Sequence, residues 1–493
     1  METLFSNTIQ KQTVEVSITG NVDGFAAQKQ IERICKQQLA PQLEKLIDKY
    51  DLSDEIISID SILVEIDDLM IDKLDPDLVQ RIISKVEDEI VQRVIQPSGK
   101  ESVSKLTQHE KTAESLIFYL KNGYFPWWAN IKNSGDFNEK LNYLCKLDFT
   151  HHHKDEFIEV MKDDSSKQRF LKQIPTRYIE KLMDRVSGKS VFATYYRVMD
   201  LIQEPGLKPA FEKVFREAAL QALVISALHD LDKFSDMLFV ELKTGNKNFK
   251  PAFEKIIPDL LKIENLPEEI ITILLGDEKL VGINSAESLK DESPPKEENE
   301  KRPAFPANET TETKFGEPAE EKSSTQEQNS NNEIYLGNAG LVIIAPFLPM
   351  FFNDLGLSEG CNLTQISKTV ALLNFIASGN QDYEEFECVL PKVLCGIELK
   401  QVIEKVELDD TEKSKINDLL LSVIEHWTIL KNTSIEGLRA SFLQREGKLT
   451  FEKGQWNLHL NPQSFDVLLE HLPWNISMIK LPWMKSLLTV NWL

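Results

Sequence analysis

Three consecutive histidines, His151, His152 and His153, are the first residues to weigh for chemistry. Metal ligands converge on one ion at i, i+2 spacing on a strand or i, i+4 spacing on a helix. Three in a row point apart, so this stretch reads as polar surface. Cys395, in the segment LCGIEL, and His426 further along supply the residue types of a nucleophile and its base. The neighbours of Cys395 are apolar, which predicts a buried structural thiol instead. Paired acids such as Asp67-Asp68 and Asp409-Asp410 sit in runs that read as solvated faces or turns. A GxxxxGK[ST] phosphate loop is absent. The residues therefore predict no enzyme, no cofactor and no metal.

Aromatic clusters stand out more than titratable ones. Gly123-Tyr124-Phe125-Pro126-Trp127-Trp128 follows a helical run directly. It can close the helix end as a core plug, or serve as a partner-binding knob, since Trp and Tyr dominate binding hot spots. Leu472-Pro473-Trp474 and Leu481-Pro482-Trp483 bracket an amphipathic turn, and core packing is their expected role.

The 493 residues carry a net charge of -23 and a pI near 4.9. Such a surface repels nucleic-acid phosphates and anionic membranes. Its acid serves solubility, or faces a basic partner. The five cysteines are odd in number and scattered, so no disulfide framework is expected and a reducing cytoplasm fits. METLFSNTIQKQTVEV lacks a charged region followed by an apolar core, so no secretory signal is expected. The most apolar stretch, Ala339 to Phe352, is broken by Pro346 and Pro349 and falls short of the roughly 20 residues that span a bilayer. No direct membrane insertion is expected.

The elements that position these residues predict an α+β, predominantly α-helical chain in four parts. Residues 1–100 read as a mixed strand–helix–strand unit. Val14, Val16 and Ile18 alternate as one strand, and Ile62, Val64 and Ile66 as another. A helix covers 24–50, with Pro41 as a break or kink, and a second helix starts at Asp75-Pro76. Residues 101–283 read as helix after helix. Residues 284–332 are rich in Glu, Lys, Ser, Pro and Asn and nearly without aliphatic side chains, which predicts a disordered acidic linker. Residues 333–493 form a compact α+β domain. There, helices are expected over 363–378 and 411–430. A third starts at a Thr433–Glu436 capping box and ends at Gly447. A hairpin turning at Lys453-Gly454 and a last strand at Leu488, Val490 and Trp492 complete it.

Several of these stretches carry a family resemblance. FYLKNGYFPWWA, with Gly123, Pro126, Trp127 and Trp128, resembles the N-terminal signature of the contractile injection system tape measure family. NAGLVIIAPFLPMFFNDLGL, with Asn338, Gly340, Pro346 and Pro349, is similar to its most telling segment. LCGIEL, IEHWTILKNTSIEGLRASFLQREGKL with Trp427, and FDVLLEHLPWNISMIKLPWM with Trp474 and Trp483 resemble it as well. The likeness covers nearly all of 333–493 and the start of the chain more thinly. It implies a structural part of a phage-tail-like particle, related to type VI secretion machinery and made in the cytoplasm. Its implied partners are the inner tube, the baseplate and the AAA+ ATPase of the same system, and no catalytic residue comes with it.

The family name implies a role in setting tube length. A length ruler must be extended: wholly helical, the chain would reach about 740 Å at roughly 1.5 Å per residue. The sequence has no sustained heptads and holds 21 prolines. It describes compact domains on a tether. A lumenal ruler, a baseplate-side assembly factor and a tube-loaded cargo effector all remain open at this point.

Overall fold

The computed structural model describes residues 24–50, 55–59, 61–66, 74–95, 103–187, 333–430 and 432–492, with scattered positions at 9, 12–16 and between 209 and 222. The acidic linker at 284–332 lies outside the described residues. Those that are described are mostly helical, with a small mixed sheet near the C-terminus.

The helix expected over 24–50 forms as α1 (Gly24–Ile34) and α2 (Ala40–Lys49), joined without a break by a π-turn at Cys35–Leu39. Pro41 accounts for the wide turn. Proline has no N–H for the carbonyl four residues back and its ring crowds that carbonyl, so one extra residue per turn relieves the clash. α1, α2 and α3 (Leu74–Ile90) share a small core of Ile31, Ile34, Leu39, Leu43 and Val79.

Both expected N-terminal strands are corrected. Residues 12–16 are irregular, and Ile18 lies outside the described residues. Residues 61–66 do alternate in exposure but join no ladder. Side chains around α3 occupy their carbonyls instead: Arg93 donates to Ser61 O at 2.7 Å, and Lys85 to Glu65 O. The strand is β1 (Glu55–Ile59), antiparallel to β2 (Val103–Thr107), with Glu55 opposite Thr107 and Ile59 opposite Val103.

Five short helices follow: α4 (Gln108–Asn122), α5 (Ser134–Leu144), α6 (His151–Val160), α7 (Asp164–Gln173) and α8 (Thr176–Ser187). Thr107, Asn133, Thr150 and Asp163 cap α4 to α7, each accepting a backbone N–H from the first turn. Such caps offset the cost of starting short helices, at about 1 kcal/mol each. The histidines open α6. His151 and His152 are exposed as expected, but His153 is buried under its cap, with Nδ1 2.7 Å from Thr150 Oγ1. The helical turn carries the third histidine to the inner face, which a surface reading of the triplet overlooks. Among the described residues, no His, Cys, Asp and Glu side chains cluster as metal ligands.

The C-terminal part opens with β3 (Ile334–Leu336) and two 3-10 turns, Ala339–Ile343 and Ala345–Phe347, that run into α9 (Leu348–Asp354). A small hairpin, β4 (Ser358–Glu359) and β5 (Asn362–Leu363), precedes α10 (Ile366–Ser378), α11 (Val389–Leu394), α12 (Asp410–His426) and α13 (Ile435–Leu438). Asp409 and Glu412 form a reciprocal cap on α12, so the Asp409-Asp410 pair is a helix start. The sheet then closes with β6 (Gly447–Glu452), β7 (Gln455–Leu460), β8 (Met478–Ile479) and β9 (Leu488–Asn491), in the order β3-β6-β7-β9-β8. The β6–β7 hairpin forms as expected. Lys453 (φ 52°) and Gly454 (φ 81°) both take positive φ, the backbone of a tight two-residue hairpin turn. The last strand also forms, and pairs in parallel with β7.

Two helix-end expectations are corrected. The Thr433–Glu436 box does not form, because Thr433 N donates to Leu430 O and stays in the preceding turn. Ser434 caps α13 instead, accepting from Gly437 N at 3.0 Å. Gly447 ends no helix. It is the buried first residue of β6, where a Cβ would stand 2.6 Å from the Cβ of Ala339.

Gly340 is the tightest backbone approach in this part: a Cβ there would lie 1.6 Å from Phe442 O. Gly340→Ala must push the buried 3-10 turn off the π-turn at Arg439–Leu443, and should cost about 3 kcal/mol. Gly454→Ala meets no atom within 4 Å and suffers only its left-handed backbone, about 1 kcal/mol. Urea unfolding of the two variants checks the order.

Candidate functional site: a buried charged seam

Helix α7 points Arg169 away from solvent, towards a carboxylate 216 positions further along the chain. Arg169 and Glu385 are both fully buried. The guanidinium bonds that carboxylate twice, Nε to Oε2 at 2.9 Å and Nη2 to Oε1 at 3.3 Å. Lys392, on α11, reaches the same carboxylate at 2.6 Å and is equally buried. One anion thus serves two cations. Backbone carbonyls satisfy the remaining donors: Leu120 O and Lys400 O for Arg169, and Leu399 O for Lys392. Burial lowers the Lys392 ammonium below its ordinary range, and Glu385 works against that.

The neighbours of this cluster bind the same two segments. Gln173 donates to Ile403 O at 2.8 Å, and Lys172 pairs with Glu404 at 2.7 Å on the outer edge. Phe386 leaves its own segment to join the helical core beside Tyr119, Phe125 and Phe137. Tyr124 goes the other way, into the C-terminal core. The Tyr119 hydroxyl is buried beside the cluster, and burial, reinforced by the Glu385 charge, raises its phenol well above the ordinary value.

The aromatic turn after α4 lies at this seam. Gly123 takes φ 82°, and its N–H closes the helix on Tyr119 O. A Cβ there would fall 2.7 Å from Leu399 O and 3.0 Å from Arg169 Nη2, so only glycine lets the two segments meet. Tyr124, Phe125 and Pro126 are buried, while Trp127 and Trp128 are half-buried, with Lys111 Nζ 3.9 Å from the Trp128 ring centre.

The other sequence-marked residues do not converge here. Trp427 is fully buried, its indole N–H on Leu468 O at 3.2 Å. Trp474 donates to Ile343 O at 3.0 Å, and Trp483 to Leu394 O at 2.7 Å. Asn338 Nδ2 holds Glu387 O at 2.9 Å, and Gly340 packs under Phe442. Pro346 is exposed and Pro349 half-buried. Cys395 is buried and its thiol is pushed up by that burial, while His426 is exposed and bonds Ser422 O. The two form no nucleophile–base pair.

Sequence reading missed Arg169, Glu385 and Lys392. One signal was available: Lys392 is the single charge inside the apolar helix VLPKVL. A lysine in such a setting must find an anion.

Glu385→Ala strips the anion from two buried cations and should destabilise the protein by about 3–5 kcal/mol. Replacing the whole cluster by Arg169→Met, Glu385→Leu and Lys392→Met should recover most of that loss, since apolar side chains of similar volume carry no desolvation cost. Chemical denaturation checks both. A loss for Glu385→Ala under about 1 kcal/mol is the value of a solvated surface pair and would contradict the seam.

Among the described residues, no helix is long and apolar enough to cross a membrane. No curated protein and no solved structure matches the chain. A family model described as contractile injection system tape measure protein matches residues 6–492. The chain belongs to the contractile injection system tape measure protein family, and so to the structural parts of such a system.

Proposed function

We propose that this chain works as a compactly folded assembly component of the particle, acting beside the tube and baseplate during tube growth. The seam supports this reading most. It bonds α7 to residues 385–403 through buried groups more than 200 positions apart, and so folds the chain back on itself. A body of the roughly 245 residues in 103–187 and 333–492 has a radius of gyration near 18 Å. Its size is set by packing and hardly depends on chain length, whereas a ruler's reach grows with every residue.

The second reading is a ruler within the tube lumen, and the family description favours it. Extension would require the seam to open, with its charges passing to water. Work from the AAA+ ATPase of the system could supply that opening. A tube-loaded cargo is the third reading, and particles would assemble without it. The site of action in each case is the cytoplasm during assembly, and then the particle.

In-frame removal of residues 290–325 separates these readings by electron microscopy of the particles. The assembly component should leave tube length unchanged, with at most fewer particles. A helical ruler should shorten the tube by about 50 Å at 1.5 Å per residue. Shortening in proportion to the residues removed contradicts the compact reading.

A further inference from the structure

The apolar run that begins at Ala339 is buried without interruption as far as Ala345, and then surfaces. Pro346, in the turn before α9, is exposed, and Met350 on the outward side of α9 is 73% exposed. Beneath them the surface is held firmly. Phe347 meets Trp474 edge-on, with ring centres 4.9 Å apart, and the Trp474 indole is anchored on Ile343 O. The other side of Phe347 approaches His426 of α12 at 6.4 Å. Lys415 of α12 donates to Asp354 O at 3.1 Å, which ties the far end of α9 to the start of α12. The two helices therefore present one face.

That face has an apolar floor and an acidic rim. Asp418, Leu421 and Glu425 follow at i, i+3 and i+7 and form the outer stripe of α12, and Leu421 is 47% exposed. Asp354 closes the rim at the end of α9. All three rim carboxylates are exposed, and none is in an ion pair among the described residues. A methionine among prolines and aromatic rings is an adaptable contact set in a rigid frame, which costs little side-chain entropy to cover.

We propose that this α9–α12 face docks a basic amphipathic segment of another protein of the particle. Its apolar side would lie on Met350, Phe347 and Leu421, and its lysines or arginines would meet Asp354, Asp418 and Glu425. The charge selects the occupant. A second copy of this chain would set the same acidic rim against itself, a like-charge contact that disfavours pairing. An acidic partner meets the same repulsion, reinforced by the net charge of -23. A docked part needs such a face whether it sets tube length or only promotes assembly.

A photo-crosslinking residue in place of Met350, in full-length chain expressed with the whole particle, tests the proposal. The crosslinked peptide is identified by mass spectrometry. The expected product joins position 350 to a net-positive segment of a different particle protein. The double variant Asp418→Lys, Glu425→Lys should cut its yield at least about tenfold, with the thermal unfolding midpoint unchanged. A crosslink to this chain itself, a neutral or acidic partner segment, or no crosslink overturns the proposal. So does a yield that charge reversal leaves unchanged.

Discussion

The shared Glu385 carboxylate is the constraint on which the described architecture turns. A buried carboxylate is costly unless its lone pairs are filled, and a buried arginine or lysine likewise. Each group here is tolerable only because the others are in place. The arginine comes from the helical part of the chain, while the carboxylate and the lysine come from the C-terminal part. The C-terminal segment therefore holds a neutral Glu385–Lys392 pair whose carboxylate can still accept, and the helical segment brings the second cation that it accepts from. Apolar exchange at the same place, Phe386 one way and Tyr124 the other, adds area. The charges add register, because a guanidinium fork fits a carboxylate in few orientations.

Around this seam the chain uses glycine and tryptophan in complementary ways. Gly123, Gly340 and Gly396 stand where a side chain would strike another segment's carbonyl oxygen. Trp474 and Trp483 stand where a carbonyl at the end of a 3-10 turn or short helix needs a donor, and Trp427 gives its indole N–H to Leu468 O within the 3-10 helix Ser464–His471. A tryptophan can fill space and give one hydrogen bond at once. The segments that resemble the family are dense in these two residue types for this reason. They fix how 3-10 turns and short helices pack, so they identify the fold before they identify an activity.

Local features of this fold were legible in the sequence and long-range ones were not. The β6–β7 hairpin could be read because Lys453-Gly454 separates two alternating runs, and turn chemistry acts over a few residues. The burial of Cys395 was read on the same scale. β1 was not, since Glu55–Ile59 has adjacent isoleucines in place of alternation, and its partner β2 lies beyond an intervening helix. The capping error at Thr433 came from a competing bond to Leu430 that no motif records. At the candidate site, the glycine and the aromatic turn were visible as types. Arg169 was not, because nothing local distinguishes SSKQRFLKQ from any exposed amphipathic helix.

For function, the seam decides whether the chain behaves as one body or as parts on a tether, and hence whether it acts folded. Native-state hydrogen exchange in increasing denaturant measures this directly, because segments that open together lose protection at one common free energy. α4 and α7 should lose protection together with α11 and residues 385–403, in a single cooperative step. Earlier and separate opening of α4–α8, with the C-terminal part still protected, would contradict the account.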